Sequence, residues 1–203
     1  MKALLEKRIF AVCMLVAAAL VAGIAGYSTL GPGRMPVSSG TALVGGPFTL
    51  TSHEGKRVTN EDFRGQYMLV TFGYTYCPDV CPTELQIISA ALDLLGERAK
   101  DIQPIFITID PERDSVAALA QYMPNFHQRY VGLTGTPEEI QDAAKTYRVY
   151  YAKAPVQGGQ DYVMDHSSII YLMDKQGTFL KHFSYGTDAK KLAEGIAAAI
   201  ESQ

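Results

Sequence analysis

Two of the three cysteines in this 203-residue chain stand with three residues between them in "TFGYTYCPDVCPTEL" (residues 71–85), and each is followed by proline. Three chemistries compete for Cys77 and Cys81: a structural disulfide, a redox pair, or a soft-metal site. On a helical turn, i and i+4 put both sulfurs on one face with Cα atoms ~6 Å apart, within disulfide reach. Two convergent thiolates also suit Cu(I). Zinc would want four ligands in a closed site, and no further cysteine is at hand to complete one. A structural staple is the weakest of the three, because so short a loop removes little entropy from the unfolded chain. A helix start would favour thiolate over thiol, with Pro82 and Pro78 suited to its first turn and Asp79 opposing the effect.

A third ligand or a base would separate the alternatives, and the chain has four histidines. His53 falls in the polar turn "TSHEGK", His127 near the end of a predicted helix, and His182 in an alternating strand where exposure is the default. His166 differs. In "DYVMDHSSIIYLMD" it stands at the entry of a predicted inner strand, after the loop-like "APVQGGQD". A histidine there can be a polar edge residue or a ligand, and its position leaves both open. Met164 is soft enough to touch a metal but reads as strand packing.

The surrounding pattern alternates strand and helix. "YMLVTFGY" (67–74) is a continuous apolar run of strand length, as expected for a strand buried on both faces, and "IQPIFITID" (102–110) is a second buried strand. Leu85, Ile88, Leu92 and Leu95 recur at helical spacing before Gly96. Val116, Leu119, Ala120 and Met123 give a second helix, with Asp114 or Ser115 as its cap. "YVGLT" is a short strand. Thr136-Pro137-Glu138-Glu139 opens a third helix with Ile140, Ala143, Ala144 and Tyr147 inward. "SSIIYLMD" and "TFLKHFSY" form a hairpin, and a last helix carries Leu192, Ile196 and Ile200. This order predicts an α/β, thioredoxin-like fold: a central mixed sheet with helices on both faces. The first buried strand then delivers its carboxyl end to Cys77 and Cys81, where open α/β sheets gather their ligands.

Residues 9–27, "IFAVCMLVAAALVAGIAGY", are uncharged and long enough to cross a ~30 Å hydrocarbon core as a helix. Lys2, Lys7 and Arg8 precede the run, which puts residues 1–8 in the cytoplasm and everything after residue 28 outside it. The length favours an uncleaved inner-membrane anchor over a cleaved signal peptide. The Gly-, Pro- and Ser-rich residues 28–46 read as a linker, and 47–203 as the domain. Those first eight residues are net basic, so the formal −3 of the whole chain becomes −5 beyond residue 27. That balance argues against a nucleic-acid partner. Export places Cys77 and Cys81 in a periplasm-like compartment, where thiols tend to be oxidised.

"TFGYTYCPDVCPTEL", "ITIDPERD" and "VMDHSSIIYLMDKQGTFL", in this order behind an anchor, resemble the Sco/SenC family over residues 47–201. The resemblance implies a thioredoxin-fold copper chaperone that helps to assemble the binuclear copper site of cytochrome c oxidase. It implies Cys77, Cys81 and His166 as ligands for Cu(I) or Cu(II), with Cys77 and Cys81 as a redox-active disulfide when oxidised. Expected partners are the copper-bearing oxidase subunit, an upstream copper donor and a thiol reductant. Asp110 and Asp114 of "DPERD" belong to the same motif and read as strand-end and helix-cap residues outside the metal shell.

The rival is an enzyme: a thiol–disulfide oxidoreductase that reduces the cysteines of its target. The spacing here is one residue longer than Cys-x-x-Cys, and residues 164–167 hold no proline. Both features favour a carrier over a reductase. A peroxiredoxin is further away, since Val70 and Tyr74 stand where its signature needs proline and threonine.

Overall fold

The computed structural model describes residues 44–156 and 161–203, together with Met14, Val16 and Leu20. Residues 42–203 form a compact unit. Of the expected anchor only Met14, Val16 and Leu20 are described, and they are helical and exposed; the rest of 9–27, with 1–8 and most of the linker, lies outside the described residues. Among the described residues no helix is long and apolar enough to cross a membrane.

Two largely apolar strands build the centre. β3 (Tyr67–Gly73) and β4 (Ile102–Thr108) pair in parallel, and β5 (Val131–Thr134) continues the parallel set beside β4. Parallel neighbours need crossovers. α1 (Val80–Leu95) supplies the first and α2 (Val116–Tyr122) lies in the second. β1 (Thr49–Ser52) adds antiparallel to β5, and β2 (Arg57–Thr59) to β1. On the other side β8 (Ile169–Met173) runs antiparallel to β3, with β9 (Phe179–Ser184) beyond it. The order is β2-β1-β5-β4-β3-β8-β9.

Side chains alternate across this sheet, as a strand dictates. Val70, Phe72, Ile105 and Ile107 pack on one face against Ile140, Ala143, Ala144 and Tyr147, the inner stripe of α3 (Pro137–Thr146) and its cap. Leu69, Phe106, Ile102 and Leu172 pack on the other against Leu85, Ile88 and Leu92 of α1, Leu119 of α2, and Leu192 and Ile196 of α4 (Ala189–Glu201). The two-faced burial expected for β3 is what the molecule has, and β4 shares it. Capping follows the sequence too. The Thr136 hydroxyl accepts the Glu139 N–H at 3.3 Å, and Glu139 accepts the Thr136 N–H at 2.9 Å. Gly96 ends α1 with φ +55°.

Some expectations are corrected. Ser115, not Asp114, caps α2, accepting from the Ala118 N–H at 3.2 Å, and Ala120 faces solvent. Pro78 lies before α1, whose first turn contains Pro82 alone. The larger change concerns His166. It does not open the inner strand but closes a separate one, β7 (Tyr162–His166), paired antiparallel with β6 (Tyr151–Pro155). Among the described residues this ribbon is a sheet of its own, off the seven-stranded one.

Candidate metal and thiol site

The carboxyl end of β3 runs through Gly73, Tyr74, Thr75 and Tyr76 to Cys77, and α1 starts at Val80, so Cys81 sits in its first turn. Gly73 makes this packing feasible. A Cβ there would stand 2.9 Å from the Cys81 Sγ and 2.9 Å from the Phe106 ring. Cys81 is 3% exposed, pressed between helix and sheet, while Cys77 is half-buried and borders an open cleft of about 330 Å³. Tyr74, Pro78, Asp79 and Val80 form the near wall of that cleft, and Val163 to His166 the far wall.

The two sulfurs are unequal. The Cys81 backbone N–H points at the Cys77 Sγ from 3.3 Å. Hydrogen bonds from the Cys81 thiol, then from His166 and the helix-start amides, outweigh partial burial and lower the Cys77 thiol to about 3. The neighbouring Cys77 thiolate and burial push Cys81 the other way, far above an ordinary thiol. One proton thus stays on the buried sulfur while the open one carries the charge.

His166 reaches this pair from the ribbon. Its Nε2 lies 3.5 Å from the Cys81 Sγ, and its Nδ1 lies 3.0 Å from the Ser167 carbonyl oxygen. A carbonyl only accepts, so Nδ1–H donates to it and Nε2 is left to face sulfur. Burial disfavours the imidazolium, but the Cys77 thiolate, the Ser167 carbonyl and Glu84 together hold it above its usual range. The Tyr74 ring meets the imidazole edge-on at 6.1 Å.

The structure brings Cys77, Cys81 and His166 close to one another. Among the described residues no three His, Cys, Asp or Glu side chains are already closed into a metal shell. What is present is two sulfurs and an imidazole nitrogen close to one another, with Cys77 and His166 lining the cleft and Cys81 buried behind them, a donor set that fits a soft or borderline cation such as copper. His53, His127 and His182 lie elsewhere: His53 Nδ1 accepts the Gly132 N–H, His127 Nδ1 accepts the Arg129 N–H, and His182 is exposed. Met164 is buried in the core and also lines the cleft.

Several supporting roles were not anticipated. Asp114, fully buried, accepts from the Thr75 N–H at 3.0 Å, the Thr75 hydroxyl at 2.5 Å and the Thr108 hydroxyl at 2.6 Å, which fixes the loop two residues before Cys77. Asp110 accepts from Arg113 and, at 2.8 Å, from the Tyr162 hydroxyl. Glu84 is 6% exposed, and its Oε1 has no hydrogen-bond partner among the described residues. Burial raises its carboxyl to about 7. A sequence signal existed for the ribbon, since "YYAKAP" and "DYVMDH" flank a Gly-Gly pair as hairpin strands do. None marked Glu84, whose place between Cys81 and Leu85 looks like any helix surface.

A mixed sheet whose central strand runs through Cys77 to a helix start bearing Cys81, with a histidine facing the pair, defines a thioredoxin-like protein. The SCO1/SenC profile matches residues 36–201, and the chain belongs to that family. It is 44% identical over 160 residues to the mitochondrial SCO1 homolog of Homo sapiens, covering 78% of this chain and 53% of that protein. The chain spans about half the length of the curated relatives it matches. Among solved structures, Arabidopsis thaliana ScoI with copper bound superposes with a TM-score of 0.75 at 42% identity, over 79% of this chain and 99% of that one. Bradyrhizobium japonicum ScoI with copper bound gives 0.71 at 42% identity, over 77% and 99%.

Proposed function

We propose that this chain is a membrane-anchored copper chaperone that holds Cu(I) or Cu(II) through Cys77, Cys81 and His166 and passes it to the copper-bearing subunit of cytochrome c oxidase. One observation carries the reading: His166 Nε2 stands 3.5 Å from the Cys81 Sγ, with Nδ1 committed to the Ser167 carbonyl. Such a second partner fixes a ring in the orientation a ligand needs. Two thiolates alone suit Cu(I), and an added imidazole extends the set to Cu(II). The cleft beside Cys77 leaves one flank of the donors open, as cargo that must leave again requires. Copper-bound relatives of the same fold support the cargo. Family membership supports the oxidase as acceptor. Residues 9–27 as anchor would hold the domain outside the cytoplasm, within reach of a membrane-bound acceptor, a copper donor and a thiol reductant.

A second reading rests on a specific observation as well. A Cys77 thiolate held low and open to the cleft is a competent attacking group for disulfide exchange, with Cys81 as the resolving thiol. The same chain would then reduce the cysteines of the oxidase subunit before metallation. Copper transfer and disulfide reduction measured side by side on His166→Ala decide between them. The carrier reading expects Cu(II) binding and copper delivery to be lost while exchange survives. Normal delivery by His166→Ala, with failure confined to cysteine variants in the reduction assay, would establish the reductase.

A further inference from the structure

His166 is carried by a ribbon that has no backbone ladder to the main sheet among the described residues, which leaves side-chain contacts to help set its distance from the cysteines. Arg113, in the loop after β4, makes that connection. Its Nε donates to Asp110, and its Nη1 donates at 3.0 Å both to the Asp161 carboxylate and to the Tyr162 carbonyl, at the start of β7. Its Nη2 is buried without a hydrogen-bond acceptor among the described residues. Aromatic faces take the acceptor's place: the guanidinium carbon lies 3.8 Å from the Tyr162 ring centroid, 4.8 Å from Tyr76 and 5.8 Å from Tyr74.

Those three rings belong to the two halves of the site. Tyr74 and Tyr76 lead directly into Cys77, whereas Tyr162 begins the strand that His166 ends. Tyr74 also touches the ribbon, its ring edge-on to His166. The Tyr162 hydroxyl closes the circuit on Asp110. The Arg113 side chain is only 16% exposed, so its ion pair with Asp110 is not a surface contact diluted by water.

We infer that Arg113 is the positioning residue that clamps the His166 ribbon against the cysteine loop and thereby sets how firmly the site retains Cu(II), while Cu(I), held chiefly by the two sulfurs, depends on it less. The inference rests on the ligand set proposed above. A lysine should not replace Arg113. Its single ammonium cannot span Asp110, Asp161 and the Tyr162 carbonyl in one plane, nor stack flat on tyrosine.

The test compares Arg113→Gln and Arg113→Lys with wild type and His166→Ala, each loaded with Cu(I) or Cu(II). Both Arg113 variants should release Cu(II) to a chelator about 10- to 100-fold faster and weaken the nitrogen couplings in its paramagnetic resonance spectrum. Cu(I) affinity should fall by much less than Cu(II) affinity. In the apo protein the amides of residues 162–166 should exchange faster in both variants, a readout that needs no copper. Tyr162→Phe, which removes only the hydroxyl bond to Asp110, should shift in the same direction by less, and it serves if Arg113 variants fold poorly. Wild-type Cu(II) release and unchanged nitrogen couplings in both Arg113 variants would overturn the clamp. So would equal loss of Cu(I) and Cu(II) in Tyr162→Phe, which would mark a general structural role. If His166→Ala keeps the wild-type nitrogen couplings, the ligand set fails first and the clamp with it; if His166→Ala loses them and the Arg113 variants do not, the clamp alone fails.

Discussion

The sulfur of Cys77 lies 3.3 Å from the backbone N–H of Cys81 and takes, at the start of α1, the acceptor's place that the Asp79 side chain leaves open. A helix start carries unpaired donors and partial positive charge, so an anion there is stabilised. The Cys81 thiol and the His166 ring add their donors to the same sulfur. The charge of the site therefore sits on the accessible cysteine, and the proton on the buried one.

Alkylation should report that inequality. With its thiol lowered to about 3, Cys77 is already thiolate at pH 5 and its rate with iodoacetamide should be nearly flat from pH 5 to 8. An ordinary thiol would slow about 10-fold per pH unit below its pKa. Mass spectrometry should find the label on Cys77 alone, because Cys81 is buried and keeps its proton. In His166→Ala, which loses one donor to the sulfur, the fall in rate should begin at higher pH. A rate that climbs steeply between pH 6 and 9 in the reduced wild type would contradict the assignment.

Gly73 is a steric requirement rather than a turn. Alanine there would drive its Cβ to within 2.9 Å of both the Cys81 sulfur and the Phe106 ring, neither a loose chain end. Overpacking of this kind costs about 1–3 kcal/mol. Gly73→Ala should lower the urea midpoint accordingly, and it should slow copper loading because the displaced group is Cys81 itself. Unchanged stability with unchanged loading would show that the strand end yields freely.

Glu84 makes stability fall as pH rises. Its carboxyl is raised from 4.5 to about 7 by burial, so folding favours its neutral form. The contribution is complete below pH 4.5 and is lost as pH climbs through 7, amounting to about 3 kcal/mol at most. Glu84→Gln, neutral throughout, should gain on wild type over that window and match it at pH 4. The comparison is urea unfolding of the two reduced proteins at pH 4, 6 and 8. A constant difference at all three would mean that Glu84 is ionised in the folded state.

What was legible beforehand follows from contrast in hydrophobicity. β3, β4 and the inner stripe of α3 were readable because both faces of the strands and one face of the helix are buried, which leaves a strong pattern in the sequence. The β6–β7 ribbon was not, because its residues are mostly half-exposed and only Met164 is fully buried. With His166 placed at the entry of the inner strand, β7 goes unrecognised as an element separate from β8. The chain breaks between the two, with the Ser167 N–H donated back to the Tyr150 carbonyl at 3.0 Å. The cysteine pair could be located from its neighbours in sequence. Arg113 and Tyr162 could not, since 48 residues separate Arg113 from Asp161 and only the folded loop brings them together.

The protonation pattern also fixes the proton count of copper binding. Metal binding strips protons from its ligands, so affinity rises with pH by one power of ten per unit for each proton released. At neutral pH Cys77 has none to give, since its thiol is lowered to about 3. Cys81 must surrender one, because its thiol is held far above the ordinary value by the adjacent thiolate and by burial. His166 surrenders up to one more, its imidazolium being held above the usual histidine range. Near pH 6 the reduced protein should thus release about two protons per Cu(I), and about one once His166 has already deprotonated at higher pH. Calorimetry in buffers of different ionisation enthalpy measures the number directly. His166→Ala should release about one at every pH between 5 and 8. Three protons from the wild type at pH 6 would mean that Cys77 is a protonated thiol before the metal arrives, and the charge asymmetry of the site would have to be abandoned.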